Sequence, residues 1–207
     1  MDFFNLLREH ARLRTESPAV SSPRRSMTYR KLWSRIERAT ARLQCEWGVS
    51  SNDTVAYLGN SHPDALVLFF SLARCGARLL PISPELAPSV RASLFQAVPW
   101  QLLIVDDDLS HSDAADSQLI SSLIATRCPH EPRHVVEDMS RPLLVCSSGE
   151  EGMQWRTFSL AALQEEGRRL GQISLQPEIS IGSYFEGKNF PGIVLPVLEK
   201  GQCLVLP

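Results

Sequence analysis

The stretch Pro142-Leu143-Leu144-Val145-Cys146-Ser147-Ser148-Gly149-Glu150-Glu151-Gly152 concentrates the residues best suited to chemistry. An apolar run passes into a Ser-Gly turn, a layout in which main-chain N–H groups and hydroxyls can face an anion. A polar glycine turn after a buried strand is equally common for structural reasons, and these residues alone leave both readings open. Asp106-Asp107-Asp108 follow another apolar run. Adjacent acids can bind a divalent cation, but here they read as a solvated turn. Glu186 and Lys188 could form a local polar site, and read better as a solvent-facing pair of little energetic weight.

Metal-ligand spacing is missing. The histidines (His10, His62, His111, His130, His134) form no H-E-x-x-H, and the cysteines (Cys45, Cys75, Cys128, Cys146, Cys203) form no C-x-x-C. Pro129 and Pro132 break any helix that would bring His130 and His134 together. No metal site is expected, and an odd number of cysteines without a secretion signal points to reduced thiols and a cytoplasmic location. Trp33, Trp47, Trp100 and Trp155 are scattered and are expected to pack in the core.

The elements that must position these residues follow from periodicity. The amphipathic N-terminus reads as a docking helix; Asp2, Glu9 and Glu16 argue against a transit peptide. Leu32, Ile36, Ala39 and Leu43 recur at helical spacing within 30–47, with Thr28 placed to cap the start and Gly48 the end. A strand is expected at 54–58, then a nearly all-apolar helix opened by Pro63 and stopped by Gly76. Strands at 78–82, 101–105 and 142–146 alternate with helices at 87–97, 116–126 and 159–170. A strand near 179–185, a helix near 190–200 and a strand at 202–206 complete the reading. Strands alternating with helices predict an α/β fold, with largely parallel sheets covered by helices on both faces. Ligands of such folds sit beyond the carboxyl ends of the strands.

Composition narrows the function classes. With 21 basic and 23 acidic residues the formal net charge is −2, against the excess of Lys and Arg that a broad nucleic-acid surface needs. Hydrophobic residues make up 43% of 207, an ordinary globular content. The most apolar run, Ala65 to Ala73, is about half of the ~20 residues a membrane span requires.

Several blocks, taken in order, resemble the superfamily of adenylate-forming ligases, which includes acyl- and aryl-CoA synthetases, luciferases and the adenylation domains of peptide synthetases. Met27-Thr28-Tyr29-Arg30-Lys31-Leu32 is similar to the family's T-Y-x-E-L block, and Val49 to Ala56 to its G-V-x-x-G-D-x-V-A block. Leu72 to Pro84 is similar to L-x-A-G-A-x-x-x-P-L-x-P. Ser147 to Arg156 falls where the family has its phosphate loop, T-S-G-S-T-G-x-P-K-G, and Phe185-Glu186 falls where it has an F-H pair. The resemblance runs from about residue 3 to the end. It implies the first part of the family's large N-terminal domain, divided here as 1–141, a first α/β subdomain, and 142–207, the start of a second. It also implies activation of a carboxylic acid by ATP and Mg²⁺ to an acyl-adenylate.

Two departures qualify that implication. Ser147, Ser148, Gly149 and Gly152 keep the phosphate-loop pattern, but Glu150 and Glu151 stand for the next Ser and Thr, Trp155 for the Lys and Arg156 for the last Gly. Ionised carboxylates only accept hydrogen bonds, and near a polyanion each unit-charge pair at ~5 Å costs about 3 kcal/mol before screening. Arg156 swinging inward, or Mg²⁺ held by the glutamates, would offset part of this. Glu186 stands where the family has its histidine. Enzymes of this family are also well over twice as long, and their adenine motif, ribose-binding Asp and C-terminal lid lie beyond the position of Pro207. The expectation is a vestigial phosphate loop and a chain inactive alone. It would be half of a split ligase or a non-catalytic module docking on a ligase or carrier protein. A partner chain or a homo-oligomer is expected to cover an open sheet edge.

Overall fold

A computed structural model describes residues 3–23, 25–109, 117–124, 128–133, 135, 142–149, 152–170 and 193–206, with the backbone alone for 142–149, 152–158 and 170. Helix α1 (Phe3–Leu13) buries Phe3, Phe4, Leu7 and Ala11, one stripe at helical spacing. Strands β1 (Pro18–Ser21) and β2 (Ser26–Thr28) pair antiparallel, and Thr28 caps helix α2 (Tyr29–Cys45) by accepting from Lys31 N–H at 3.3 Å. That helix ends at Cys45, before the expected 47. Glu46 and Trp47 both donate to the Arg42 carbonyl and close its last turn, and Gly48, at φ 68°, only redirects the chain beyond.

Strand β3 (Thr54–Leu58), helix α3 (Pro63–Cys75) and strand β4 (Arg78–Ile82) lie where the sequence puts them. Pro63 opens the helix, and Gly76 closes it in the left-handed region at φ 71°. Helix α4 (Pro88–Ala97) and strand β5 (Leu102–Val105) follow. Strand β6 (Gln118–Leu119) precedes helix α5 (Ile120–Ile124), where the sequence predicted helix from 116. Gln118 and Leu119 pair with Ile104 and Val105, and that ladder overrides their helical spacing.

These strands form a parallel four-stranded sheet in the order β4-β3-β5-β6. Side chains alternate between its faces. Val55, Tyr57, Leu79 and Ile104 join the core with α2, α3 and α5, while Ala56, Leu58, Leu80, Ile82, Leu103 and Val105 pack with Leu94 of α4. Leu66 to Phe70 of α3 are wholly buried, each contributing roughly 1.5–3 kcal/mol by area for the larger side chains. Phe70 stacks on Phe3 at 5.1 Å, which seats α1 on α3. Two guanidinium groups approach the Trp33 ring of α2, Arg8 of α1 at 5.3 Å and Arg74 of α3 at 4.7 Å. Trp100, expected in the core, is 39% exposed and packs edge-on against Phe95.

Strands β7 (Pro142–Gly149) and β8 (Gly152–Ser159) form an antiparallel hairpin, with β7 alongside β4. The sequence reading ended the strand at 146 and missed β8. Helix α6 (Leu160–Leu170) follows. Helix α7 (Leu195–Glu199) is the described part of the helix expected at 190–200. Strand β9 (Leu204–Val205) adds in parallel to β1, giving a sheet ordered β2-β1-β9. The strand expected near 179–185 lies outside the described residues. Among the described residues, no helix is long and apolar enough to cross a membrane.

Candidate functional site

Two places meet the sequence criteria, the hairpin and the carboxyl ends of the parallel strands. In the hairpin, Ser147, Ser148 and Gly149 are the last three residues of β7, and Gly152 is the first of β8. The register runs Cys146↔Trp155, Ser147↔Gln154, Ser148↔Met153 and Gly149↔Gly152. Only positions 150 and 151 are left to connect the strands. In such a ladder every second residue exchanges both its N–H and its C=O with the partner strand. Much of the main chain of the Ser-Gly segment therefore serves the hairpin. Trp155 and Arg156 stand opposite Cys146 and Val145. Glu150, Glu151, Phe185, Glu186 and Lys188 lie outside the described residues.

At the carboxyl ends of β3 and β5 the polar groups are tied to one another. The Tyr57 ring folds back over the chain, and a Cβ on Gly59 would collide with its hydroxyl. That hydroxyl donates to the Asn60 carbonyl at 2.9 Å. His62 caps α3: its Nδ1 accepts the Asp64 N–H at 3.2 Å. This assigns the neutral ring's proton to Nε2, which faces Tyr57 Oη at 3.2 Å and Asp106 Oδ2 at 3.4 Å. Both ring nitrogens are therefore engaged within this cluster.

Asp106 is 8% exposed, which corrects the expectation of a solvated acidic turn; only Asp107 and Asp108 face solvent. Burial alone would raise the Asp106 carboxyl. The His62 hydrogen bond and charge, with N–H groups of Asn60 and Asp107, outweigh burial and hold it below its ordinary value. Asp64 is shared by Arg25 at 2.5 Å and Arg35 at 3.0 Å. Burial is the main reason the Arg35 guanidinium has a lowered pKa despite this partner. Asp64 thus faces two guanidiniums, while Asp106 faces the His62 ring. The Asp64 and Asp106 roles were not read from the sequence. The visible signal was His62-Pro63 at the start of α3, since Pro at a first helical turn marks the preceding residue as the cap.

A sequence profile described as AMP-binding enzyme matches residues 7–157. The chain belongs to this family. It is 29% identical over 171 residues to the indoleacetate–CoA ligase of Aromatoleum aromaticum, covering 73% of this chain and 33% of that protein. To the 2-succinylbenzoate–CoA ligase of Salmonella typhimurium it is 23% identical over 147 residues, covering 70% and 31%. The fold is shared with the N-terminal subdomain of NpsA from Klebsiella oxytoca, solved with 3-hydroxyanthranilyl-AMSN, at TM-score 0.79 and 20% identity. That match covers 100% of this chain and 54% of the other. It is shared also with the Bacillus subtilis o-succinylbenzoate CoA synthetase holding its acyl-adenylate intermediate, at TM-score 0.80, 15% identity and coverage of 98% and 43%. The chain therefore spans about a third of these curated relatives and about half of these solved chains.

Proposed function

We propose that this chain is the N-terminal portion of an AMP-dependent acyl- or aryl-acid ligase, inactive by itself, that works with a second polypeptide in a cytoplasmic setting. The observation that carries this reading is the hairpin closing at Gly149↔Gly152. A loop that wraps a triphosphate must turn successive N–H groups toward one point, whereas a paired ladder sends them alternately to the partner strand and away. Ser147, Ser148, Gly149 and Gly152 do not fit ATP while that ladder is paired. The reading draws further support from Val205 of β9, which is 43% exposed at the border of its sheet, a surface suited to a partner chain.

Titration of the purified chain with ATP·Mg²⁺ by calorimetry, alone and with a complementary ligase half, tests the proposal together with acid-dependent ATP–pyrophosphate exchange. The expected result is no heat and no exchange alone, with exchange appearing on mixing. Acyl-adenylate formed by the unaccompanied chain would overturn it. Capture of an intact ligase or a carrier protein, with no exchange in any mixture, would favour the non-catalytic docking module that the same hairpin permits.

A further inference from the structure

We propose that helix α1 is a clasp on the α7–β9 segment, so that residues 3–13 and 193–206 open and close as one cooperative unit, separate from the parallel sheet. Helix α7 has five residues and no side-chain cap at its start. A helix so short does not persist by itself; following N–H groups serve its Pro196, Val197 and Leu198 carbonyls, and the Glu199, Gly201 and Gln202 carbonyls take donors from outside the segment. Those donors come from the other end of the chain. His10 Nε2 hydrogen-bonds the Glu199 carbonyl at 3.0 Å. Arg14 Nη1 donates to the Gly201 carbonyl at 3.1 Å. Tyr29 Oη donates to the Gln202 carbonyl at 2.6 Å, and its ring meets His10 edge-on at 5.2 Å. Burial above all, with Cys203 nearby and Arg14 opposing, raises the Tyr29 phenol well above its ordinary range, so it remains a donor.

Gly201 makes the clasp possible. It sits at φ 67°, and a Cβ there would lie 2.6 Å from Arg14 Nη1 and 3.0 Å from His10 Cε1. Phe3, Phe4 and Leu7 of α1 lie in one buried core with Leu195 and Leu198 of α7, but α2, α3 and the sheet residues Val55, Tyr57, Leu79 and Ile104 share it, so what ties α1 to α7–β9 in particular is the set of hydrogen bonds above. By contrast β9 holds β1 through only two residue pairs and a bond from Leu206 N–H to the Ser21 carbonyl. A segment with so little ladder of its own depends on the side chains that hold it, and such segments open below the global unfolding free energy.

Native-state hydrogen exchange on the full chain reads this directly. In the wild type, peptides covering 3–13 and 193–206 should exchange at similar rates, both faster than those covering β3 to β5. Gly201→Ala should speed exchange in 3–13 by about tenfold or more, although residue 201 is remote in sequence, and leave β3 to β5 unchanged. Arg14→Gln should speed 193–206 by about tenfold, the effect of losing one charge-assisted hydrogen bond. Tyr29→Phe, the mildest change, should move both peptides in the same direction if either stronger variant fails to fold. Loosening of 193–206 without 3–13 in Gly201→Ala, or uniform acceleration of the sheet, would overturn the clasp. So would a Tyr29→Phe variant in which the two peptides part company. These outcomes do not depend on whether ATP binds.

Discussion

The carboxyl end of the parallel sheet and the β7–β8 hairpin both occupy places where an α/β protein of this family could meet a ligand, and each is closed in a different way. At the sheet end the closure is made by side chains: Asp64 takes Arg25 and Arg35, and His62 takes Tyr57 and Asp106. In the hairpin it is made by main chain, through a ladder that runs to Gly149↔Gly152. Side-chain closure is undone by point substitution. Main-chain closure is not, because every residue type except proline brings the same N–H and C=O.

The largest effect that tests this contrast is Asp64→Ala. It leaves Arg25 and Arg35 facing each other without their carboxylate, and the fold should lose about 2–3 kcal/mol in urea unfolding, less than a fully buried pair because Arg25 is partly exposed. A loss under 1 kcal/mol would mean the cluster is ornamental to stability.

His62→Gln should act through pH. A carboxyl with a depressed pKa in the folded state stabilises fully above its unfolded value of ~3.9 and loses that contribution as pH falls through the folded value. Wild-type stability should therefore fall more steeply than that of the variant as pH drops from 5 to 3, with about 1 kcal/mol more stability at pH 5. Parallel stability curves would remove His62 as the cause of the shift.

Thiol labelling is a finer probe of the packing of α2 on α3, near the amino ends of the strands. Burial pushes the Cys75 thiol up to about 12, with Arg74 opposing and Cys45 adding to it. Only the thiolate reacts, so Cys75 should stay unlabelled in the native protein at neutral pH while the half-buried Cys45 and Cys128 react. Reaction of Cys75 at a comparable rate would show that the α2–α3 contact opens readily.

The smallest expected effect is an absence of change. Restoring the family's donors through Glu150→Ser, Glu151→Thr and Trp155→Lys together should leave millimolar ATP·Mg²⁺ unbound in calorimetry, because the ladder persists. Micromolar binding by that variant would assign the block to charge and side-chain identity and leave the main chain blameless.

Much of this frame was legible in the residues. Thr28, Pro63 and Gly76 bracket helices through local rules of capping and backbone freedom, and the apolar runs of β3, β4 and β5 match their observed limits within a residue. Strands β1 and β2 were missed because three or four residues carry too little periodicity to register. Strand β8 was missed because the resemblance assigned Ser147 to Arg156 to a loop, although Met153, Gln154, Trp155 and Arg156 alternate apolar and polar as a strand does. The Asp106 contact joins positions 44 apart in sequence, set by the order β3-β5, and no local pattern encodes that neighbourhood. Glu150 and Glu151 announced trouble for a polyanion through charge. The paired backbone beneath them became visible only in three dimensions.

Trp33 carries a last consequence. Two guanidiniums approach its indole, one from α1 and one from α3. Departure of the N-terminal helix would strip one cation from this buried ring and wet it, altering its near-ultraviolet emission. The molecule thus contains its own optical gauge of whether its first helix is seated, readable without any added label once the other tryptophans are replaced.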